Sequence, residues 1–418
     1  MLRARMDSPP LVLHVAAAVR DAAGTDASPG AVAVLEGRIL GSGALAAVRR
    51  AMAGIPHREI DHGNALILPG FVNAHAHLDL AAIGPRPYGG SFVDWAAAVM
   101  RERPTDDAAI TAAVQTGLRA SLAAGVGWLG DIAGSECAVR ARLRFDAPLA
   151  PGGVSWLECF GIGDAAEAAA ERAAQRVLAL RAEVPAAARV RVELQPHAPY
   201  SAGAALCRRA AELGTASIHL AETSEEAEFV RDASGPFAAL LRALGKWNAG
   251  IVAQRLSPVQ ALAPVLASGR WVVAHGNHLD DDDVAVLTRL PGLSLAYCPV
   301  ASEYFGHRDH RYRELLARGV NVCLGTDSIL CQPPDEPQAH GILAQMRRLL
   351  RRDDVAPGTL LAMATVNGAR ALGLPERSAT LLPGAEARLF VVELQDPARR
   401  PSLTDAIDSG RGRGIVIP

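Results

Sequence analysis

The chain has 418 residues, 50% of them hydrophobic and 21% charged, with a formal net charge of −2. That balance is ordinary for a globular enzyme and leaves no surplus of positive charge to hold nucleic acid or an anionic membrane. No apolar run reaches the roughly 20 residues of a membrane helix. The six cysteines (Cys137, Cys159, Cys207, Cys298, Cys323 and Cys331) include no CxxC pair, so reduced thiols in a cytoplasm are the simpler expectation.

At the N-terminus an apolar patch, Leu11 to Val19, follows Arg3 and Arg5 but is interrupted by His14, preceded by Asp7 and closely followed by Arg20. A signal peptide is the lesser reading of it. Ala31 to Leu40 predicts a hairpin with its turn at Glu36-Gly37, and Ala65 to Leu68 a short strand running into Pro69-Gly70. The rhythm then changes. Apolar strands are predicted at Val190–Gln195, Ala216–Leu220, Trp271–Ala274, Leu293–Tyr297 and Val320–Leu324, with helices such as Asp164–Ala182 and Gly341–Arg352 between or after them. Such alternation implies a parallel sheet, closed into a barrel or doubly wound. After Leu381-Leu382-Pro383-Gly384 a β-like run, Ala387–Leu394, resembles the start of the chain more than its middle. The expected organisation is α/β: residues 1–66 and 376–418 form one small β domain from both termini, and residues 67–375 the catalytic barrel. An α/β barrel absorbs a stretch of that length as one domain.

The candidate chemical residues fall at the carboxyl ends of these strands, where a (β/α) barrel keeps its active site. Phe71-Val72-Asn73-Ala74-His75-Ala76-His77 places two histidines at i and i+2, on one face of a strand, where both imidazoles can meet one ion. Alone, the pair reads equally as two satisfied core or surface histidines. Ser217-Ile218-His219-Leu220-Ala221-Glu222 adds a histidine with a carboxylate three residues on, Val272-Val273-Ala274-His275 another histidine, and Val322 to Ser328 the aspartate Asp327. His275 taken singly fits a helix cap, and Asp327 a turn or N-cap. Four such residues at four strand ends in this order point to a metal site.

The run Leu68 to His77, followed by His219, His275 and Gly325-Thr326-Asp327-Ser328, resembles the amidohydrolase superfamily over nearly the whole chain. The resemblance implies a distorted TIM (β/α)8 barrel with a small β-sandwich-like domain built from both ends. Its two-metal members bridge their ions with a carboxylated lysine at the end of barrel strand four. Here the only lysine is Lys246, in a helical or loop stretch, and the matching strand ends in Gln195-Pro196-His197. One divalent ion is therefore expected, Zn²⁺ ahead of Fe²⁺.

The mononuclear deaminase branch matches residue by residue. It implies His75, His77, His219 and Asp327 as ligands, Glu222 as proton shuttle, and His275 as the residue that orients the attacking water. In that scheme Asp327 also takes the water's proton, Glu222 protonates the ring nitrogen, and the exocyclic amine leaves as ammonia. Pro196 to Ser201 is similar to the segment facing a purine nucleoside in adenosine-type deaminases, which makes His197 a candidate substrate contact, as are Trp95 and Ser328. The runs His219 to Glu226, Ser234 to Phe237, Tyr297 to Pro299, Tyr304 to His307 and Ser91 to Trp95 are similar to aminodeoxyfutalosine deaminases of an alternative menaquinone pathway. Those enzymes hydrolyse the 6-amino group of an adenine nucleoside carrying a carboxyphenyl substituent. Val300 to Glu303 and the Pro-rich loop Ile329 to Asp335 depart from that pattern, and both are expected over the active site. Arg101 and Arg103 are candidates to pair a substrate carboxylate, or else residues of a solvated helix face.

The alternatives are a relative acting on S-adenosylhomocysteine, guanine or a chlorinated triazine; a metal-binding barrel without catalysis; and a Rossmann oxidoreductase, for which a GxGxxG near the start is missing. The expected partner is a small-molecule substrate, with no nucleic acid and no membrane; a homodimer stays open.

Overall fold

The computed structural model describes residues 11–147, 150–333, 341–396 and 401–414. Arg3, Arg5 and Asp7, which frame the N-terminal patch, and Pro334 and Asp335 of the Pro-rich loop lie outside the described residues.

Eight parallel strands follow the polypeptide in order: β1 (Phe71–Ala76), β2 (Val126–Ala133), β3 (Gly152–Cys159), β4 (Val190–Pro196), β5 (Thr215–Leu220), β6 (Arg270–His275), β7 (Leu293–Tyr297) and β8 (Asn321–Leu324). They form two four-stranded arcs, β1 to β4 and β5 to β8, each in sequential order. The arcs meet at their carboxyl ends. The His219 N–H donates to His197 O (3.0 Å) across the β4–β5 gap. The N–H groups of Thr326 and Asp327 both donate to His75 O (3.0 Å each) across the β8–β1 gap. This is a TIM-barrel-like α/β fold whose two seams are pinned at the end where the candidate residues sit. The strands are apolar almost throughout and buried, as parallel strands covered by helices must be. The five strands predicted within the barrel lie where expected to within a residue or so. The helix predicted from Asp164 starts instead as a 3-10 turn, Gly163–Ala165, and becomes α-helical over Ala166–Glu183.

The chain ends build two further sheets. One orders Arg38–Ala44, Gly30–Leu35, Leu11–Ala16 and His57–Asp61; the other orders Arg411–Gly414, Leu389–Glu393, Ala65–Pro69, Ala18–Arg20 and Asp26–Ala27. Val32, Val34, Ile39, Ile67, Leu389 and Val391 share a core between them. The expected hairpin is present, with Glu36 and Gly37 both at positive φ (50° and 70°), the turn that matches strand twist. Leu11–Ala16 of the N-terminal patch is an interior strand with neighbours on both sides. No helix among the described residues is long and apolar enough to cross a membrane.

One buried cation ties β2 to β3. Arg142, on the helix Glu136–Leu143, donates to the carbonyls of Val154 (2.6 Å), Leu129 (2.9 Å) and Gly152 (3.0 Å) and lies 3.7 Å from Asp131. Asp131 in turn accepts from the Leu78 N–H (3.2 Å) and the Ser155 hydroxyl (3.1 Å), so it also fixes the backbone just after His77. Replacing Arg142 strands three carbonyls and a buried carboxylate. Arg142→Met is therefore expected to cost on the order of 3–5 kcal/mol. A shift of the urea-unfolding midpoint followed by circular dichroism checks this; an unshifted midpoint contradicts it.

Candidate active site

Four strand ends converge on one buried space. His75 lies on β1 and His77 just beyond it, His219 on β5, His275 at the end of β6, and Asp327 three residues past β8. His75, His219 and His275 are buried, as are Asp327 and Glu222. His75 Nε2 and His77 Nε2 lie 3.6 and 3.5 Å from Asp327 Oδ1, and His77 Nε2 lies 3.3 Å from His219 Nε2.

The backbone is built to permit this approach. At Gly325 an added Cβ would stand 2.9 Å from His75 Cβ and 2.8 Å from Cys298 Sγ, so only glycine lets β8 close against β1 here. His275 (φ 74°), Asp327 (φ 57°) and Ala221 (φ 52°) are non-glycine residues in the left-handed region, a strain that surrounding contacts must hold in place. Those contacts are specific. Asn73 donates through Nδ2 to Thr326 Oγ1 (2.7 Å) and accepts through Oδ1 from the Thr326 N–H (3.1 Å). Glu226 accepts from the N–H groups of Ala221 (2.9 Å) and Glu222 (3.0 Å), while Asn277 Nδ2 donates to Glu222 O (3.1 Å). His310 takes the Tyr312 N–H on Nδ1 and donates from Nε2 to His275 O (2.8 Å).

The donor set fits a divalent cation. Both ring nitrogens of His75 are buried with no hydrogen-bond partner, an arrangement that costs free energy unless something else satisfies them. His219 Nδ1 lies 2.9 Å from His197 O, an atom that can only accept; its proton is therefore on Nδ1 and its lone pair on Nε2, the atom facing His77. A tetrahedral centre with bonds of about 2.0–2.1 Å separates its ligand atoms by about 3.4 Å, and the three separations above bracket that value. His75, His77, His219 and Asp327 are thus the residues that could hold one ion. The end of β4 carries Gln195, whose Nε2 lies 3.3 Å from His219 Nδ1, where a bridging lysine would be needed for two.

The two acids of the site are driven apart. Burial, reinforced by the fields of Asp327 and Glu226, pushes the Glu222 carboxyl well above its ordinary range. Burial works against Asp327 too, yet the His75 imidazole 3.6 Å away and the fields of His275 and His77 hold it below the usual carboxylate range. His275 Nε2 lies 3.4 Å from Glu222 Oε1, and burial pushes that imidazole down to about 3, so it is neutral.

A cavity of about 600 Å³ opens onto this cluster, with His77, His219, Glu222, His275, Asp327 and Ser328 in its wall. Its volume is in the range of small-ligand sites. A larger cleft, about 1300 Å³, runs along the arginine-rich helix Ile342–Asp353 and shares none of these residues. Trp95 and His197 line the active cavity, and His197 Nδ1 pairs with Ser201 Oγ (2.6 Å). Ser328 uses its hydroxyl to accept from the Leu330 N–H (3.2 Å), capping the turn that follows Asp327.

Two features of the surroundings differ from expectation, and Arg101 follows the second of its two readings. Arg103 is already committed: its guanidinium donates to Asp79 (2.8 and 3.2 Å) and to Glu158 (3.2 Å), forming a largely buried bridge from the cavity-wall helix Phe92–Glu102 to β3. Arg101 is exposed and absent from the cavity wall. Val300–Glu303 belong to a short helix, Pro299–Tyr304, outside the cavity wall, where Glu303 pairs with Arg352 (3.0 Å) and Arg348 (3.4 Å). Asp79, Glu158, Asn73, Glu226 and His310 had no assigned role in the sequence; Asn73 and Glu226 at least stood inside the runs singled out there.

Residues 66–416 match the model of the Amidohydrolase family. The chain is 29% identical over 374 residues to the 5'-deoxyadenosine deaminase of Methanoregula boonei, covering 85% of this chain and 77% of that one. It is 28% identical over 375 residues to the 5-methylthioadenosine/S-adenosylhomocysteine deaminase of Symbiobacterium thermophilum, covering 84% and 78%. Its fold resembles that of Helicobacter pylori aminofutalosine deaminase in complex with methylthio-coformycin (TM-score 0.79, 17% identity, 96% and 97% covered). It also resembles the zinc complex of an atrazine chlorohydrolase from Arthrobacter aurescens TC1 (TM-score 0.75, 17% identity, 96% and 91% covered). The family match spans most of the chain and includes every residue of the cluster: the protein belongs to the amidohydrolase family.

Proposed function

We propose that the protein is a hydrolytic deaminase that removes the exocyclic amino group of an adenine-type nucleoside, with aminodeoxyfutalosine as the candidate substrate. The observation that carries this reading is the placement of two buried acids at one site, Glu222 beside His275 and Asp327 beside His75 and His77, where burial pushes the Glu222 carboxyl up and the histidines hold Asp327 down. Environments that push two titratable groups apart in this way divide them into an acid and a base.

His75, His77, His219 and Asp327 would hold a divalent ion, whose Lewis acidity would lower the pKa of a water molecule toward neutrality. Zn²⁺ suits this mixed nitrogen and oxygen set, and Fe²⁺ is the second choice. Asp327 accepts the proton of the attacking water. Glu222 donates its proton to the ring nitrogen beside the attacked carbon, so that carbon becomes tetrahedral without charge building on the ring. His275, neutral and in contact with Glu222, orients the water between the two acids. The proton held by Asp327 then passes to the exocyclic nitrogen, which leaves as ammonia, while the hydroxyl proton of the tetrahedral centre returns to Glu222 as the carbonyl forms. An amine needs a proton to depart and a chloride does not, so Asp327, placed to return the water's proton, suits a deaminase. The names of the two sequence relatives given above, both deaminases of adenosine derivatives, support the same choice. The six cysteines are all unpaired, which fits a reducing cytoplasm.

Two outcomes are expected. Metal-loaded protein mixed with aminodeoxyfutalosine, 5′-deoxyadenosine, S-adenosylhomocysteine and guanine releases ammonia from at least one adenine nucleoside; ammonia from none of them contradicts the reading. Glu222→Gln keeps its metal, measured by elemental analysis, while kcat falls roughly 10²- to 10⁴-fold, whereas His75→Ala loses the metal itself. Loss of metal in Glu222→Gln would overturn the division between ligand and acid.

A further inference from the structure

The active cavity is polarised along its length. Every acid in its wall, Glu158, Glu222 and Asp327, is buried. Its cations are Arg103, Arg172 and Lys246, and Arg103 is neutralised by Asp79 and Glu158. Arg172, on the helix Ala166–Glu183, and Lys246, just past the helix Gly235–Ala243, are exposed. Among the described residues neither charged group has a carboxylate partner. Lys246 is also the single lysine of the chain.

The mouth that carries these two cations is otherwise apolar. Met100, Phe160 and Leu244 line the same cavity and are 51%, 54% and 48% exposed. Large apolar side chains grouped at a cavity mouth mark a surface awaiting a ligand. The loop bearing Lys246 is anchored rather than loose. The Lys246 N–H donates to Leu241 O (2.8 Å), Asn248 Nδ2 donates to Ile162 O (3.1 Å), and Asn248 Oδ1 accepts from the Asp164 N–H (2.9 Å). Lys246 is thereby held on the segment that presents Phe160 and Ile162 to the cavity.

We propose that the cavity mouth is a subsite for an extended substrate tail: Met100, Phe160 and Leu244 cover an apolar body, and Lys246 together with Arg172 binds an anion at its far end. The inference rests on the deaminase reading and names the tail that this site selects. The exposed end offers two cations with no carboxylate partner among the described residues, so the tail's charge orients the substrate as well as holding it. A neutral, tail-less nucleoside gains nothing from this half of the cavity.

The test compares one acid with its neutral twin, aminodeoxyfutalosine and its methyl ester, which share the same apolar body. For each protein the ratio of kcat/KM for the acid to that for the ester is measured by ammonia release. Since both substrates meet the same preparation, loss of folded protein cancels. Lys246→Met is expected to lower the ratio about tenfold, through KM for the acid. Lys246→Arg should keep most of it, and adding Arg172→Met should lower it further. Raising the salt concentration should erode the ratio of the parent protein, because the cations are exposed. A ratio unmoved by Lys246→Met and by the double variant overturns the inference alone. Ammonia from neither compound with the parent protein overturns the inference, and the deaminase reading falls with it when 5′-deoxyadenosine and S-adenosylhomocysteine release none either.

Discussion

The His75 carbonyl is the atom on which the site depends. It accepts the N–H groups of both Thr326 and Asp327, and this one contact closes the barrel between its first and last strands. The same contact carries Asp327 to within 3.6 Å of the His75 imidazole. Fold closure and ligand assembly are therefore a single event. Gly325 makes the approach sterically feasible, and Asn73 holds Thr326 from the opposite strand with two hydrogen bonds. The positive φ at Asp327 and His275 is backbone strain that these bonds balance locally. Parallel strands are suited to this role. Each delivers one side chain to the same end of the sheet, so residues 250 positions apart in sequence become neighbours without any long loop.

Gathering several imidazoles and two carboxylates in a buried space is costly, and the costs shape the chemistry. Desolvation keeps His77, His219 and His275 neutral, with His77 pushed down to about 4. Neutral imidazole is the form that binds a metal. The same desolvation raises Glu222, while Asp327, surrounded by His75, His77 and His275, stays ionised. Glu226, pushed up to about 8 by burial, receives the backbone of Ala221 and Glu222 and fixes the acid's position without touching the cavity. The proposed division into acid and base thus rests on where each carboxyl sits, not on any difference in their intrinsic chemistry.

How much of this was legible in the sequence differs by element. β1, β5, β6 and β8 announce themselves because each is a short apolar run with a histidine or aspartate at or just past its end, and the order His75, His77, His219, His275, Asp327 is itself the candidate site; β2 and β3 end in Ala133 and Cys159 and carried no such signal. The terminal hairpin was readable from Glu36-Gly37, where turn chemistry is local. The bridge Asp79–Arg103–Glu158 was not: its three residues sit on three separate elements, and each alone looks like a surface charge. For that reason Arg103 stood as a candidate to meet substrate when it is in fact spent within the wall. Val300–Glu303 could not be oriented from sequence either. A six-residue helix has too few turns for its pattern to say which face is buried, and Glu303 turns to Arg348 and Arg352 outside the cavity. Lys246 was legible only by what it excluded, a lysine-bridged pair of ions; its place in the cavity wall needed the fold.

The central claim is that the seam between β8 and β1 assembles a site for one ion, held by His75, His77, His219 and Asp327. X-ray absorption spectroscopy of the zinc-loaded protein, with the metal content measured on the same sample, tests it most directly. The account predicts one ion per chain, three imidazole nitrogens and otherwise oxygen in the first shell, and no sulfur, although the Cys331 thiol lies only 3.7 Å from Asp327. Two ions per chain with metal–metal scattering, or a sulfur ligand, would contradict it.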